Sequence, residues 1–157
     1  MPPQTSPDDT ADPVEARRRW MAVLARASGE EIATHLKAAP ALPAWTRLRG
    51  PETGLVMVRG RAGGDGAPFN LGEMTVTRCA VRLADGTVGH AYVAGRDARQ
   101  AELAAALDAA LQAPSRRAAL IGAVVAPLAA AQAEAASHEA RKAAATRVQF
   151  FTMATMR

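Results

Sequence analysis

A chain of 157 residues is long enough for one domain with its own core and too short for several. Hydrophobic residues make up 49% of it and aromatic residues only 4%, and much of the apolar share is alanine, which buries little area. The composition therefore favours a core that a partner completes. The single cysteine excludes an internal disulfide, and the net charge of +4 weakly favours anionic ligands or acidic partners.

The chain begins with a segment that has almost nothing to bury. Residues 1–12, MPPQTSPDDTAD, are rich in Pro, Asp and Thr, which predicts a disordered tail ahead of a single domain at 13–157. This start shows neither a charged segment followed by an apolar one, as in a signal peptide, nor a long apolar span. We therefore expect a cytoplasmic protein that does not insert into a membrane.

Two helices are predicted to follow this tail. Asp12 can cap the first, with Pro13 at its first helical position, and its apolar stripe ends near Gly29. Ser28 and Glu31 have the spacing of a capping box, which predicts a short second helix.

From 45 to 94, apolar and polar residues alternate, which predicts β-strands. Four candidate strands are separated by glycine-containing breaks: WTRLR, LVMVRGR, MTVTRCAVRL and TVGHAYVAG. The last break is Asp85-Gly86, a strong signal for a two-residue hairpin loop. Such a loop sets Ala84 opposite Thr87 and thereby fixes the register of the hairpin.

This register predicts which side chains of the hairpin face the helices. They are Cys79, Val81, Leu83, Val88 and Tyr92. Cys79 and His90 become diagonal neighbours on that face. One hypothesis is therefore a stand-alone thiol enzyme, in which Cys79 is the nucleophile and His90 the base. An apolar face instead favours a buried, inert thiol, because burial raises the pKa of cysteine.

The opposite face of the hairpin mixes arginines with small residues. It is predicted to carry Arg78, Ala80, Arg82, Gly89, Ala91 and Val93. Small neighbours allow close approach, and guanidinium groups bind phosphate or carboxylate oxygens. Arg78 and Arg82, with Arg96 and Asp97 at the exit of the hairpin, are therefore candidates for contacts with substrate or a partner. A simple solvated face is the alternative.

The C-terminal part of the chain is predicted to be helical. A third helix begins near Asp97, and Pro114-Ser115 ends it and caps another. Pro127 should divide the following alanine-rich stretch into two helical pieces. The apolar tail RVQFFTMATMR supplies candidates for docking on a partner, namely Phe150, Phe151 and Met153. Together these elements predict an α+β domain, with an antiparallel sheet of about four strands and helices from both chain ends packed on it.

Three further patches have ordinary explanations. RAGGDG at 61–66 lacks the Lys-Ser or Lys-Thr of a phosphate-binding loop and is typical of a hairpin loop. Glu134, His138 and Lys142 share one helix face but are too few to hold a metal. The arginines at 17–19 form only a weak nucleic-acid patch. We expect no metal site, no cofactor bound by this chain alone and no nucleic-acid partner.

Several short strings occur together in a characteristic order. They are Glu52-Thr53-Gly54-Leu55-Val56, Asp85-Gly86-Thr87, Gly95-Arg96-Asp97, and Arg147-Val148 with Phe150-Phe151-Thr152-Met153. In this order they resemble the G-subunit (PhnG) family of the bacterial carbon-phosphorus lyase system. The resemblance spans about residues 17–153.

This resemblance implies a non-autonomous subunit of an enzyme complex in phosphonate catabolism. The implied partners are the PhnI, PhnJ and PhnH subunits and the ATP-binding cassette proteins PhnK and PhnL. In that family an alkylphosphonate displaces adenine from C1′ of the ribose of ATP, giving α-D-ribose 1-alkylphosphonate 5-triphosphate. Catalysis is associated mainly with the I subunit, so no catalytic residue is assigned to this chain. The alternative is a structural adaptor that holds other subunits without contacting substrate.

Overall fold

The computed structural model describes residues 12–62 and 66–147. In chain order the elements are α1 (Pro13–Leu24), α2 (Gly29–Leu36), β1 (Trp45–Gly60), β2 (Phe69–Leu83), β3 (Val88–Ala94), α3 (Ala98–Leu111), α4 (Pro114–Leu120), a π-helical turn (Ile121–Val125) and α5 (Ala126–Ala145). The strands form one antiparallel sheet in the order β1-β2-β3. α3 packs directly on the sheet, and α1 and α2 pack on α3. The predicted α+β class is confirmed, whereas the predicted tail lies outside the described residues except for Asp12.

The two N-terminal helices begin at the predicted capping residues. The Asp12 side chain accepts the N–H of Val14 at 3.1 Å, and Ser28 and Glu31 form a reciprocal capping box. α1 ends at Leu24, about a turn earlier than expected near Gly29. The reason is that Ser28 adopts an extended conformation to cap α2, so the chain leaves the helix before it.

The first two predicted strands are one continuous strand, β1, so the sheet has three strands rather than about four. The pairing of β1 with β2 shifts twice here, once at Leu48, between Arg47 and Arg49, and once at Gly50 and Pro51, between Arg49 and Glu52. Proline cannot donate to a strand ladder, but it is tolerated at bulges and on edge strands, and β1 is an edge strand. The Gly-Pro pair therefore disturbs the pairing without ending the strand.

The core between the sheet and α3 is built largely from small residues. α3 buries ten of its 14 residues, and six of the ten are alanine. Gly89 on β3 faces this helix so closely that a Cβ there would overlap the carbonyl oxygen of Ala105 and lie 2.6 Å from the nitrogen of Ala109. Small residues thus bring the helix backbone onto the sheet, while the fully buried Leu107 and Leu111 fill the remaining space.

Pro127 does not break the helix as predicted; it lies at the start of α5, directly after a π-helical turn at Ile121–Val125. The N–H of Ala126 donates to the carbonyl of Ile121, five residues earlier, and helical conformation continues through α5. The wider turn accommodates a proline that lacks an N–H, so the helix need not end there. Ser115 does not cap α4 as predicted. The N-cap of α4 is Ala113, and no side chain accepts a hydrogen bond there.

The helix from Pro114 to Ala145 is long and apolar enough to cross a membrane, judged by length and composition alone. Such a helix is weak support for a membrane span, because a core helix of a globular domain passes the same test. Its first part is held by buried residues, Leu120, Val124 and Leu128, and the Gln132 side chain donates to the carbonyl of Val23 at 2.9 Å. From residue 133 to 147 every position is exposed. The absence of membrane insertion stays a prediction.

Candidate functional site on the outer face of the sheet

The turn between β2 and β3 decides which side chains reach the outer face, by which we mean the face of the sheet away from α3. Its loop has three residues, since the N–H of Gly86 donates to the carbonyl of Leu83 at 3.0 Å and the N–H of Leu83 donates to the carbonyl of Thr87 at 2.9 Å. Gly86 has a φ of 89°, as expected of the left-handed residue that closes a three-residue loop. The pairing is therefore shifted by one residue from the predicted register.

This shift leaves β2 as predicted and exchanges the faces of β3. The β2 side chains predicted to face the helices are buried, namely Cys79, Val81 and Leu83. The prediction is wrong for Val88 and Tyr92, which lie on the outer face. It is also wrong for three residues predicted to share the arginine face, since the helix side instead takes Gly89, Ala91 and Val93.

The same shift separates Cys79 from His90. Cys79 is buried on the helix side, where its thiol donates to the carbonyl of Arg49 at 3.3 Å and burial raises its pKa. His90 pairs with Ala80 and is exposed on the outer face. Side chains on opposite faces of a sheet cannot form a nucleophile and base pair, so the thiol-enzyme hypothesis is wrong.

Three rows of paired residues cross the outer face. The rows are Glu52, Arg78 and Tyr92; Arg49, Ala80 and His90; and Thr46, Arg82 and Val88. Ala80 has the smallest side chain and lies at the centre, beneath a shallow depression of about 360 Å³ that Arg49, Arg78, His90 and Tyr92 line. Leu48 adds an apolar wall to it. Arg82 lies in the adjacent row, beside the depression and outside its lining. This depression is the candidate functional site.

The charges of these rows are mostly positive. Glu52, their one carboxylate, accepts from Arg78 Nε and from its terminal nitrogen at 3.1 and 3.0 Å and lies 3.7 Å from Arg49 Nε. The hydrogen bonds to Glu52 raise the pKa of Arg78. Arg82 is exposed and pairs with no carboxylate among residues 12–62 and 66–147. Its guanidinium is therefore available to an external anion.

The structure does not bring Arg96 and Asp97 into this depression. Asp97 accepts the N–H groups of Gln100 at 2.8 Å and Gly29 at 3.0 Å, so it caps α3 and fastens the start of α2. These backbone hydrogen bonds lower the pKa of Asp97. Arg96 is exposed beyond the end of β3 that is remote from Arg82, at least about 20 Å along the strand.

Four members of the site, Arg49, Glu52, His90 and Tyr92, do not follow from the sequence pattern. Arg49 and Glu52 flank the Gly-Pro pair, which the pattern assigns to a break between two strands. His90 and Tyr92 are assigned to the helix side by the two-residue loop, whereas the observed pairing places both on the outer face. A signal was present for Glu52, which belongs to one of the strings that carry the family resemblance.

A buried carboxylate behind β3 is also absent from the sequence-based predictions. Asp108 on α3 is fully buried and accepts from Arg17 Nε and its terminal nitrogen at 3.0 and 2.7 Å, from Trp20 Nε1 at 2.9 Å and from the N–H of His90 at 2.9 Å. It thereby ties α1, α3 and the strand that carries His90 and Tyr92. The available signal was an aspartate inside the otherwise apolar segment LAAALDAAL.

The proposed docking residues Phe150, Phe151 and Met153 lie outside the described residues. So do residues 63–65 of the glycine-rich segment, although β1 and β2 on either side of it pair as an antiparallel hairpin, as predicted for a hairpin loop.

Comparison with known proteins agrees with the resemblance drawn from the short strings. A family model described as "Phosphonate metabolism protein PhnG" matches residues 15–155. A protein of Rhizobium meliloti (strain 1021), named alpha-D-ribose 1-methylphosphonate 5-triphosphate synthase subunit PhnG, is 47% identical over 140 residues, which are 89% of this chain and 89% of that protein. Because both matches extend over nearly the whole chain, it belongs to the PhnG family of phosphonate metabolism proteins.

Proposed function

We propose that the chain is a non-autonomous subunit of a ribose 1-methylphosphonate 5-triphosphate synthase in phosphonate catabolism. The observation that carries this proposal is the 47% identical relative, which is named as a subunit of that synthase. A phosphonate oxygen forms the new bond to C1′ of ATP as the bond from C1′ to the adenine nitrogen breaks. Adenine leaves with the bonding electron pair and takes up a proton. Catalysis lies mainly on another subunit, so the isolated chain is inactive.

The partners in this proposal are PhnI, PhnJ and PhnH, with the ATP-binding cassette proteins PhnK and PhnL, in the cytoplasm. The word "subunit" in the name of the relative supports assembly with other chains. Phe150, Phe151 and Met153 dock on one of these subunits, because three large apolar residues within four positions cannot share one face of an extended segment. A chain that ends at residue 149 should therefore be recovered in less complex than the full chain.

The outer face of the sheet holds an anionic group in the assembled synthase. Arg82 is exposed and has no carboxylate partner among the described residues, and Arg49, Arg78 and His90 surround Ala80 beside it. ATP and an alkylphosphonate together bring about five or six negative charges to one site, which guanidinium groups suit well. Carboxylates of a neighbouring subunit offer the same oxygen chemistry, so the experiment must separate the two sources.

Arg82→Gln in assembled complexes distinguishes them. If Arg82 contacts the triphosphate, the KM for ATP rises about tenfold or more, as expected on losing about 1.5–3 kcal/mol of charged hydrogen bonding. If it contacts a subunit, complex recovery falls while turnover per intact complex stays normal. Adenine release by complexes purified by size measures both effects. Arg116→Gln, which removes an exposed guanidinium on α4, is the control and should change neither. Normal assembly with normal kinetics for Arg82→Gln would overturn both assignments.

A purely structural adaptor is the second candidate function. The ion pairs of Glu52 favour it, because two of the three arginines on this face, Arg49 and Arg78, already have this carboxylate as a partner within the chain. Adenine release by the other subunits, measured with and without this chain, tests the adaptor together with the arginine variants. An adaptor predicts that no outer-face variant alters the KM for ATP once the complex has formed.

A further inference from the structure

The β1–β2 hairpin extends past the rest of the sheet. β3 ends at Ala94, opposite Val76, whereas pairing of β1 with β2 continues beyond that point. We call the two segments beyond it, 55–60 and 69–75, the ribbon. At about 3.3 Å per residue the ribbon is roughly 20 Å long, and none of its residues is buried.

The ribbon carries most of the large apolar side chains that the described part of the chain exposes. Five of these eight residues belong to it, with 39% to 63% of each exposed: Leu55, Met57, Phe69, Leu71 and Met74. They occupy both faces, because Leu55 and Met57 alternate along β1 with Val56, which pairs with Met74. Thr75 and Glu73 pair with Leu55 and Met57 and share their face, so one face is mixed and the other, with Val56 and Met74, is apolar. Because exposed large apolar side chains remain on both faces, we infer that both are covered.

A bulge increases the apolar surface near the end of the ribbon. Val58 pairs with Gly72 and Arg59 with Asn70, which leaves Leu71 as an extra residue on β2. Leu71 lies over Gly60, where a Cβ would be only 2.5 Å from Leu71 Cδ1. The missing side chain at this position therefore makes room for an exposed leucine.

The exposed apolar area of the ribbon is more than half of what one partner contributes to a standard interface. A side chain of this size presents about 150–250 Å² when fully exposed, so the five present on the order of 500 Å² together. A standard protein interface takes about 800 Å² from each partner, so a partner that covered both faces of the ribbon would gain a large share of such an interface. An isolated two-stranded hairpin is also only marginally stable in water, which is a further reason for it to be covered.

We propose that the ribbon is a docking arm that an apolar cleft of another synthase subunit clasps on both faces. This inference rests on the proposed function, which supplies the other subunits. A partner that covered one face only would leave either Leu55 and Met57 or Val56 and Met74 in water. A second copy of this chain that paired edge to edge with β1 would satisfy backbone groups and leave both faces exposed.

Two double variants, one for each face, test the docking arm. They are Leu55→Thr with Met57→Thr, and Val56→Thr with Met74→Thr, because threonine keeps β-strand propensity and removes apolar area. Val14→Thr is the control, since Val14 is 61% exposed on α1, outside the ribbon. The tagged full-length chain is co-expressed with PhnI, PhnH and PhnJ, and its affinity for the recovered subunits is measured. Each ribbon variant should weaken binding about tenfold or more, and the control should not.

Each outcome of this experiment is decisive. Far-UV circular dichroism equal to that of the wild type shows that the variants fold. If the wild-type chain recovers no subunit, the proposed function and the docking arm both fail. If the wild type assembles and both ribbon variants bind as it does, the docking arm alone is overturned. If only one of the two ribbon variants weakened subunit binding, a cleft that clasps both faces would be refuted. If the isolated chain formed a dimer that the variants abolished, the ribbon would serve self-association instead.

Discussion

Asp108→Asn should destabilise the fold strongly although it preserves the shape of the side chain. Asp108 Oδ1 accepts from Arg17 Nε and Trp20 Nε1, and Oδ2 accepts from the Arg17 terminal nitrogen and the N–H of His90. The amide keeps one acceptor oxygen and replaces the other with a donor. In either orientation of the amide, two donors therefore lose their acceptor and meet another donor.

The expected loss in free energy of unfolding is about 3 kcal/mol. An unsatisfied buried hydrogen-bonding group costs about 1–3 kcal/mol, and removing one partner of a buried ion pair costs about 3–5 kcal/mol. The lower end of the second range applies, because the Arg17 side chain is 35% exposed and water can solvate part of it. Urea denaturation of the full-length chain, followed by circular dichroism and tryptophan fluorescence, measures the loss.

Glu15→Gln is the matched control for this experiment. It removes an ion pair with Arg18 in which both side chains are exposed, so it should cost less than about 1 kcal/mol. If Asp108→Asn cost no more than this control, the buried carboxylate would not be what holds α1, α3 and β3 together.

Two further predictions concern the packing and capping of α3. Gly89→Ala should lower the Tm more than Gly72→Ala, because only at Gly89 does the new Cβ meet the α3 backbone, and such overpacking costs about 1–3 kcal/mol or more; equal melting temperatures would contradict the close approach. Asp97→Ala should cost about 1–2 kcal/mol at neutral pH by loss of the cap, as measured in urea. The folded state lowers the pKa of Asp97 from its ordinary 3.8, so the stabilisation by this cap is present above pH 3.8 and is lost as the pH falls through the pKa of the folded state. If the difference in unfolding free energy between wild type and Asp97→Ala persisted undiminished in strong acid, this explanation would be disproved.

The starts of α1, α2 and α3 are predictable because each is specified by neighbouring residues. The Asp12 and Asp97 side chains accept N–H groups two and three positions later, and Ser28 and Glu31 cap each other within one turn. A pattern confined to four residues can be identified without knowledge of the rest of the fold.

The register of the β2–β3 hairpin is a harder problem. A glycine with positive φ serves a two-residue loop and a three-residue loop equally well, so Asp85-Gly86 locates the turn without fixing its length. The alternation in β3 does not resolve the ambiguity, because VGHAYVA has apolar or small residues in both of its phases. An error of one residue then moves every β3 side chain to the wrong face.

The contacts that build the outer face and the buried carboxylate join distant parts of the chain. Glu52 and Arg78 are 26 residues apart, and Arg17 and Asp108 are 91 residues apart. Hydrophobic periodicity assigns each residue to a face of its own element and carries no information about which elements meet. The arginine side chains of β2 were therefore predictable as a group, while the residues around them were not.

The π-helical turn at Ile121–Val125 has a consequence for the direction of the chain beyond it. A π turn accommodates one more residue than an α-helical path, and one α-helical residue corresponds to a rotation of about 100° around the axis. The turn therefore sets the azimuth of α5, so that Leu128 and Gln132 point to the core. Deleting one residue from it would rotate both away and present a different stripe of the exposed C-terminal half to any neighbour. Five residues near the start of this long helix thus determine which side its far end offers.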